Sequence, residues 1–490
     1  MAAVETEAKK CRLFIGGEWR DGETGATFDD LDPFSGEVVA IVPAGTVVDA
    51  RAAADAAAAA FPAWSQTPPA ERQRIFLAAA DALDRRRDDV GSWLTRETGC
   101  TFGFAMFQLG FVPGLFRQAA ALGYMPMGEI IPSDAGAFAM GMRRPVGVVA
   151  GIAPWNAALI LSARAIAAPM ALGNTMVLKP SELSPYTGGL LWAEIFGEAG
   201  LPEGVLNIVT HAPGEAAPIA DALVEHQAVR SINFTGSTDT GRKVAEAAGR
   251  NLKRVVLELG GYNPLIVLAD ADLDYAVDAS AFGAFLHQGQ ICMSARRIIV
   301  ERPIAETFTQ RLAEKAQGLK VGDPKEPDTI IGPLITEAAL ANVKARVDDA
   351  VARGAKVLAG GEVAGACYQA TVLAEVPPDS DFARFETFGP VVSVEVVDSA
   401  DEAVERANDT SYGLSSGILT SDADRGLALA QRIQAGIVHV NDQPVADEPQ
   451  MPFGGVKGSG LGRFGGTAAI NEFTEVHWVT VQSGPHPFPF

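Results

Sequence analysis

The feature that most constrains this chain is an alternation. Short apolar runs recur between helical stretches: VGVVAGI (146–152), NTMVLKP (174–180), VLNIVT (205–210), SINFTG (231–236) and RVVLEL (254–259). Runs this short and continuous read as strands buried on both faces. Their alternation with helices predicts an α/β unit built on a mainly parallel sheet. The pattern resumes with PLIVLA (264–269), a helix from about 272 to 288, and RRIIVE (296–301), so a second α/β unit is expected to start near 260. Ahead of these, TVVDARAAADAAAAAF (46–61) reads as a helix of high intrinsic propensity. Residues 70–97 read as one longer amphipathic helix, with Ile75, Ala79, Ala82, Leu83 and Val90 inward and Asp84, Arg85 and Asp88 in solvent. The 490 residues suit two large or three smaller domain-sized units. No long linker and no repeat of 20–50 residues separates them, so a ligand site between closely packed units is expected. NEFTEVHWVTVQ (471–482) alternates like a strand without a following partner, which leaves pairing with another subunit or an edge strand.

Composition excludes several classes. The chain is 48% hydrophobic and 20% charged, which is not a disordered composition. Its net charge is -21, with 60 acidic against 39 basic residues and no basic block, which argues against nucleic-acid partners and an anionic membrane surface. Between Arg144 and Lys179 the only charge is Arg164, but Pro145, Gly147, Gly151, Pro154 and Asn156 interrupt that stretch. Buried strands and a buried helix fit it better than a membrane span. MAAVETEAKK lacks the basic region and apolar core of a signal peptide. Cys11, Cys100, Cys292 and Cys367 form no CxxC pair, and the six histidines show no HExxH spacing. Reduced thiols, a cytoplasmic location and no metal are the expectations. Two motifs are decoys. Gly460, Gly462 and Gly465 match G-x-G-x-x-G but follow a loop rather than a strand, and Gly236 to Lys243 resembles a P-loop with Arg242 where the lysine belongs.

Three residues carry candidate chemistry. Cys292, in HQGQICMSARR, follows a helix and a Gly–Gln turn, where a thiol can be exposed and ionise; the alternative is a small buried hydrophobe between Ile291 and Met293. Glu258 puts a carboxylate in an apolar strand just before Gly260 and Gly261. Burial would raise its pKa and make it a general base near neutrality; the alternative is the exposed face of an edge strand. Asn156 ends a strand in a nearly charge-free region and offers a neutral oxyanion donor, or else a turn or helix cap. Lys179 and Glu182, in KPSE, suit ribose hydroxyls or phosphate, or a solvated loop. Gly236 and Ser237 give backbone N–H groups and a hydroxyl at a strand-to-helix turn, a phosphate-binding geometry.

PWN (154–156), KPSE (179–182), FTGS (234–237), ELGG (258–261), GQIC (289–292), ETFGP (386–390) and PFGG (452–455) occur together and in this order. Over nearly its full length the chain resembles the aldehyde dehydrogenases. The resemblance implies NAD-dependent oxidation of an aldehyde to the acid, with NADP as the alternative cofactor. Cys292 would attack the carbonyl carbon. Asn156 and the Cys292 N–H would hold the oxyanion, and Glu258 would activate the water that hydrolyses the thioester. It also implies cofactor contacts. Lys179, Ser181 and Glu182 would meet the adenine ribose, and Gly236 and Ser237 the pyrophosphate. Glu386 would bind the nicotinamide ribose and Phe388 would flank the nicotinamide. Ile152, Pro154, Trp155, Leu259 and Gly260 would line the same cleft. The fold implied is a Rossmann-like cofactor domain (1–123 and 146–258), an α/β catalytic domain (259–457) and a small β oligomerisation arm (124–145 and 471–490), assembled as a homodimer or homotetramer. Two positions depart from the family pattern: Tyr262 stands where many members have Lys, and Phe464 where many have Glu.

Within the family, the stretches around Cys292 and Asn156 most resemble bacterial dehydrogenases of aromatic aldehydes such as benzaldehyde, salicylaldehyde and vanillin. By position, Phe111, Ala157, Leu161 and Arg164 would line the aldehyde tunnel with Ile291, Met293 and Phe453. Ala157 replaces a bulky aromatic and leaves room for a ring. Arg164 would bind a phenolic oxygen or carboxylate, or form a structural ion pair. An aliphatic or semialdehyde dehydrogenase using the same machinery is one alternative, and a non-catalytic structural protein on the same fold is the other.

Overall fold

The computed structural model describes residues 8–485 and 487–490, so the first seven residues of the stretch read for a targeting signal lie outside it. Two large sheets dominate. The first has eight strands in the order Gly460–Leu461, Arg254–Glu258, Val229–Thr235, Val148–Ile152, Thr175–Lys179, Leu206–Ile208, Leu13–Ile15, Glu18–Arg20. Its five central strands run parallel, and the outer strands add antiparallel. The second has seven strands in the order Lys356–Ala359, Thr371–Ala374, Val391–Val397, Arg297–Glu301, Pro264–Val267, Ser415–Leu419, Ile437–Val440. It is parallel except for the first pair. Each apolar run read as a strand forms one, within the usual uncertainty at the ends.

A third sheet joins Thr474–Val481, Phe138–Pro145 and Gly128–Ile131. The C-terminal strand thus finds its partner earlier in its own chain, pairing antiparallel from Thr474↔Pro145 to Val481↔Phe138, and is an edge strand of that sheet. The segment predicted as strand from 471 begins as helix, since Ala468–Phe473 is helical. Asn174 anchors this junction. Its Oδ1 accepts from Gly147 N at 3.0 Å, and its Nδ2 donates to Pro169 O and Phe473 O, both at 3.0 Å.

The Ala-rich helix runs Val47–Ser65 and starts with a reciprocal cap: Thr46 Oγ1 accepts from Asp49 N, and Asp49 Oδ2 from Thr46 N. The single helix expected over 70–97 is two, Pro69–Arg85 and Arg87–Thr98. Arg86 leaves the helical path at φ -97°, ψ 15°, and its guanidinium donates to Glu194 Oε2 at 2.7 Å and to Tyr186 Oη at 3.3 Å. A tertiary ion pair on a neighbouring helix sits at the break, and propensity carries no sign of it. Among the described residues no helix is long and apolar enough to cross a membrane.

The helix Ala158–Ala171 positions what precedes it. All but one of its residues are buried, which accounts for the nearly charge-free sequence. Ala157 at its start offers no side-chain cap. Gln108, wholly buried on the helix Phe102–Leu122, supplies the missing acceptor: its Oε1 takes the Leu159 N–H at 3.2 Å. Gln108→Leu keeps the bulk and removes the acceptor, leaving that N–H buried and unpaired. It should lower stability by about 1–3 kcal/mol, read as an earlier urea midpoint at constant slope; an unchanged midpoint would show that the helix start is satisfied in another way.

Candidate active site

Register brings the candidate groups to one end of the first sheet. Ile152 pairs with Phe234 and with Lys179, and Thr235 pairs with Glu258. Pro154 and Trp155, Lys179, Gly236 and Ser237, and Leu259 to Gly261 all lie at or just past the carboxyl ends of parallel strands, where ligands of open α/β sheets bind. The chain crosses here to the second sheet, through residues with no room for a side chain. A Cβ on Gly260 would lie 2.5 Å from Glu386 Oε2, and one on Gly261 would lie 2.4 Å from the Cys292 carbonyl oxygen.

Cys292 follows the helix Leu273–Phe285 and the short turn Leu286–Gly289. The helix predicted to reach 288 therefore stops three residues early. His287 (φ 50°) and Gln288 (φ 52°) adopt left-handed backbone, costly for such side chains. Gln288 is held there by Nε2 donation to Gly99 O at 3.2 Å and Pro333 O at 3.0 Å. The reversal delivers Cys292 half-buried, at the margin of an apolar cluster rather than inside it. Asn156, buried, donates from Nδ2 to Gln290 O at 3.0 Å and so lies against the same turn. Its amide carries two N–H donors, so one remains for another acceptor.

Glu258 is not on an exposed face. Its strand lies between Val229–Thr235 and Gly460–Leu461, and the side chain is 1% exposed. Neither carboxylate oxygen has a hydrogen-bond partner in standard geometry among the described residues. Burial pushes its pKa up to about 8, against the pull of Arg164. The Cys292 thiol is also pushed up, by burial first and then by Glu258 and Glu386. Glu386 accepts from Gly261 N at 3.3 Å, and burial raises it to about 7 although Arg296 opposes the rise. Beside it Phe388 holds φ 50° and meets the Trp155 ring edge-on at 5.7 Å, so the loops of the two sheets touch.

The KPSE segment is not a solvated loop. Lys179 and Ser181 are buried, and Glu182 is half-buried with Oε2 3.2 Å from Ser181 Oγ. Lys179 Nζ sits 2.5 Å from His211 Nε2 and 3.3 Å from Pro180 O. Neutral His211 donates from Nδ1 to Ala212 O at 3.0 Å, which leaves Nε2 as the acceptor facing the lysine. Burial lowers Lys179 to about 8, and burial with Lys179 lowers His211 to about 4. Ser237 caps the helix Thr238–Arg250, its Oγ accepting from Thr240 N at 3.3 Å, so the positive end of that helix opens beside Gly236.

Phe111, Ala157, Leu161, Ile291, Met293 and Phe453 all fall in one apolar cluster with Cys292 packed against it. Arg164 points among them and is spoken for. It pairs with Asp447, both nearly buried, and its guanidinium lies 4.1 Å from the Phe453 ring centroid and 5.8 Å from that of Phe111. Of its two readings, the structure shows the ion pair. The departures are also placed. Tyr262 is buried and donates its hydroxyl to Phe382 O at 3.1 Å. Phe464 is buried against Phe473, and its backbone exchanges hydrogen bonds with Phe453 at 2.8 Å. Gly460 of the G-x-G-x-x-G decoy pairs with Glu258, and a Cβ there would lie 2.2 Å from Leu257 O, so that glycine serves the sheet edge.

Sequence reasoning missed His211, Asn263, Arg296 and Asp447. Asn263 donates to Cys292 O at 2.7 Å and Ser294 O at 2.9 Å and accepts from Ser415 N at 3.1 Å, pinning the turn after the thiol. Its position just past ELGG was the available signal.

Comparison with known proteins places these features in context. The family model described as "Aldehyde dehydrogenase family" matches residues 19–479. A vanillin dehydrogenase from Pseudomonas fluorescens is 47% identical, covering 97% of this chain and 99% of that protein. A benzaldehyde dehydrogenase [NAD(+)] from Pseudomonas putida is 43% identical, covering 95% of each. The crystal structure of a salicylaldehyde dehydrogenase from Pseudomonas putida G7, complexed with salicylaldehyde, superposes with a TM-score of 0.96 at 43% identity, over 98% of this chain and 100% of that one.

The raised carboxyl at Glu258 has a stability consequence. Between the ordinary carboxylate range and about pH 8 the folded chain holds a proton that the unfolded chain has lost, so folding stability falls as pH rises through that window. Glu258→Gln removes this term. The variant should melt several degrees above the parent at pH 9, and the two should converge near pH 5. A constant difference across that range would place the raised titration elsewhere.

Proposed function

The chain belongs to the aldehyde dehydrogenase family, and we propose that it oxidises aromatic aldehydes to carboxylic acids with NAD, NADP being the alternative cofactor. One observation carries the reading: a half-buried thiol, Cys292, packs against an apolar cluster and feels the charge of Glu258, a carboxyl that is wholly buried on the neighbouring strand end. The residues present fit the cofactor. The buried Lys179 with Glu182 and His211 suits an adenine ribose, the helix start at Ser237 suits a pyrophosphate, and Glu386 beside the side-chain-free Gly260 and Gly261 suits the nicotinamide ribose. When bound, the nicotinamide supplies the hydride acceptor.

The chain's own groups supply the rest. Cys292 sulfur attacks the aldehyde carbon, and its thiol proton leaves to a base. Asn156 and the Cys292 N–H steady the oxygen that takes the charge. Once the sulfur carries an acyl group, Glu258 takes a proton from water, the hydroxide adds to the thioester carbon, and the C–S bond breaks to release the acid and the thiol. Ala157 and the surrounding apolar side chains suit a ring, and Arg164, already paired with Asp447, tunes the electrostatics of the pocket rather than seeking a second anion. The same reading makes the exposed sheet Gly128–Ile131, Phe138–Pro145 and Thr474–Val481, with Ile130, Val476 and Trp478 outward, the arm of a homodimer or homotetramer in the cytoplasm.

Reduced-cofactor absorbance across benzaldehyde, salicylaldehyde, vanillin, hexanal and succinic semialdehyde tests the proposal. The ring aldehydes should have the higher kcat/KM, and Cys292→Ala should abolish turnover; an advantage for the chains would overturn the aromatic assignment and leave the mechanism. Glu258→Gln should give a burst of reduced cofactor followed by slow turnover, and equal loss of both phases would contradict its role. Asn156→Ala should slow the burst itself by roughly 10²–10³, the size of one oxyanion donor.

A further inference from the structure

Arg296 is a wholly buried guanidinium whose hydrogen bonds go to backbone carbonyls rather than to a carboxylate. A buried cation ordinarily needs a carboxylate partner to offset its desolvation. Nη2 donates to Gly289 O at 2.5 Å and to Ile291 O at 3.3 Å, both on the turn that presents Cys292. Nη1 donates to Gly389 O at 2.9 Å, on the loop that carries Glu386 and Phe388. The guanidinium carbon lies 5.8 Å from the Phe388 ring centroid. The two loops meet closely: a Cβ on Gly289 would fall 2.2 Å from Gly389 O. Arg296 is itself fixed from the other side, its carbonyl accepting from Ser393 N at 3.0 Å and Ser393 Oγ at 3.3 Å. The charges that act on Arg296 are Glu386, Tyr262, Cys292 and, with like sign, Arg346; those that act on Cys292 are Glu258, Glu386 and Asp447, which oppose its thiolate, and Arg164, which favours it.

We propose that Arg296 is a positioning residue that fastens the turn bearing Cys292 to the loop bearing Glu386 and Phe388, and that its buried charge favours the Cys292 thiolate. The inference rests on the reading of Cys292 as nucleophile and of the 386–389 loop as part of the cofactor site. It separates two contributions. The planar fork fixes the distance between the loops, which lysine cannot reproduce. The positive charge acts on sulfur, which lysine can supply.

The experiment uses the full-length chain with Arg296→Met and Arg296→Lys. Alkylation of Cys292 by iodoacetamide is followed by mass against pH, NAD binding by tryptophan fluorescence, and folding by circular dichroism. In Arg296→Met the alkylation midpoint should move up by about one unit, so that alkylation near neutral pH slows about tenfold. NAD should bind about tenfold more weakly. Arg296→Lys should keep the parent midpoint yet bind NAD several-fold more weakly. A residue that merely fills space would not split charge from geometry in this way. A parent-like midpoint in folded Arg296→Met, or parent-like NAD affinity in Arg296→Lys, would overturn the proposal; the second criterion stands even where the Met variant does not fold. Failure of the underlying reading is distinct: Cys292→Ala would then still reduce NAD, whatever the alkylation profiles show.

Discussion

Two glycines set the spacing on which the site depends. The chain leaves the first sheet at Glu258 and enters the second at Pro264, and Gly260 and Gly261 cross the seam with no space for a Cβ. Because bare backbone is all that fits, the Gly261 amide can reach Glu386 and the Cys292 carbonyl can approach from the other side. Asn263, two residues on, then reaches the Cys292 and Ser294 carbonyls. The thiol, the carboxylates and the two loops are therefore positioned by one backbone crossing. A side chain there would part the sheets rather than perturb a single contact.

The seam is also buried, and that decides the electrostatics. Each charged group around it is compensated differently. Arg164 has Asp447, Arg296 has backbone carbonyls, Lys179 has His211 and Pro180, and Glu258 has no hydrogen-bond partner in standard geometry among the described residues, with only the Gly455 backbone easing its burial. Arg164, with its carboxylate partner, is structural in character. Glu258 keeps its proton to about pH 8. A desolvated carboxyl that is close to ionising at neutral pH is an effective base, because its proton affinity matches the medium.

Much of the fold was legible because parallel strands buried on both faces announce themselves as continuous apolar runs, and the charge-free stretch before Lys179 became two such strands and a helix buried all round. The break at Arg86 was not, because its cause is Glu194, far along the chain. Cys292, Glu258 and Asn156 were legible as residue types out of place; Asn156 bonds to the turn that carries Cys292, and the buried Glu258 acts on the thiol through its charge. The alternatives for Arg164 could not be separated from sequence, since its partner Asp447 lies 283 residues away. Arg296 and His211 were silent for a related reason. They act on backbone carbonyls or on a neighbour's side chain, and the sequence of a loop does not say which carbonyl another loop will present.

The charge coupling between Cys292 and Glu258 also orders the proposed chemistry. Each anion raises the proton affinity of the other, and Glu386 adds to the burden on the thiol. The pocket therefore favours one negative charge on this pair at a time. The carboxyl is the stronger acid of the two, so the resting charge falls on Glu258, and a thiolate forms only as Glu258 takes up a proton. Once the sulfur is acylated it is neutral, the repulsion is gone, and Glu258 becomes easier to ionise. Glu258 therefore carries the proton while sulfur reacts and is freed to ionise once the thioester has formed. The sequence of steps follows from Coulomb repulsion across a desolvated pocket, with no moving part required to enforce it.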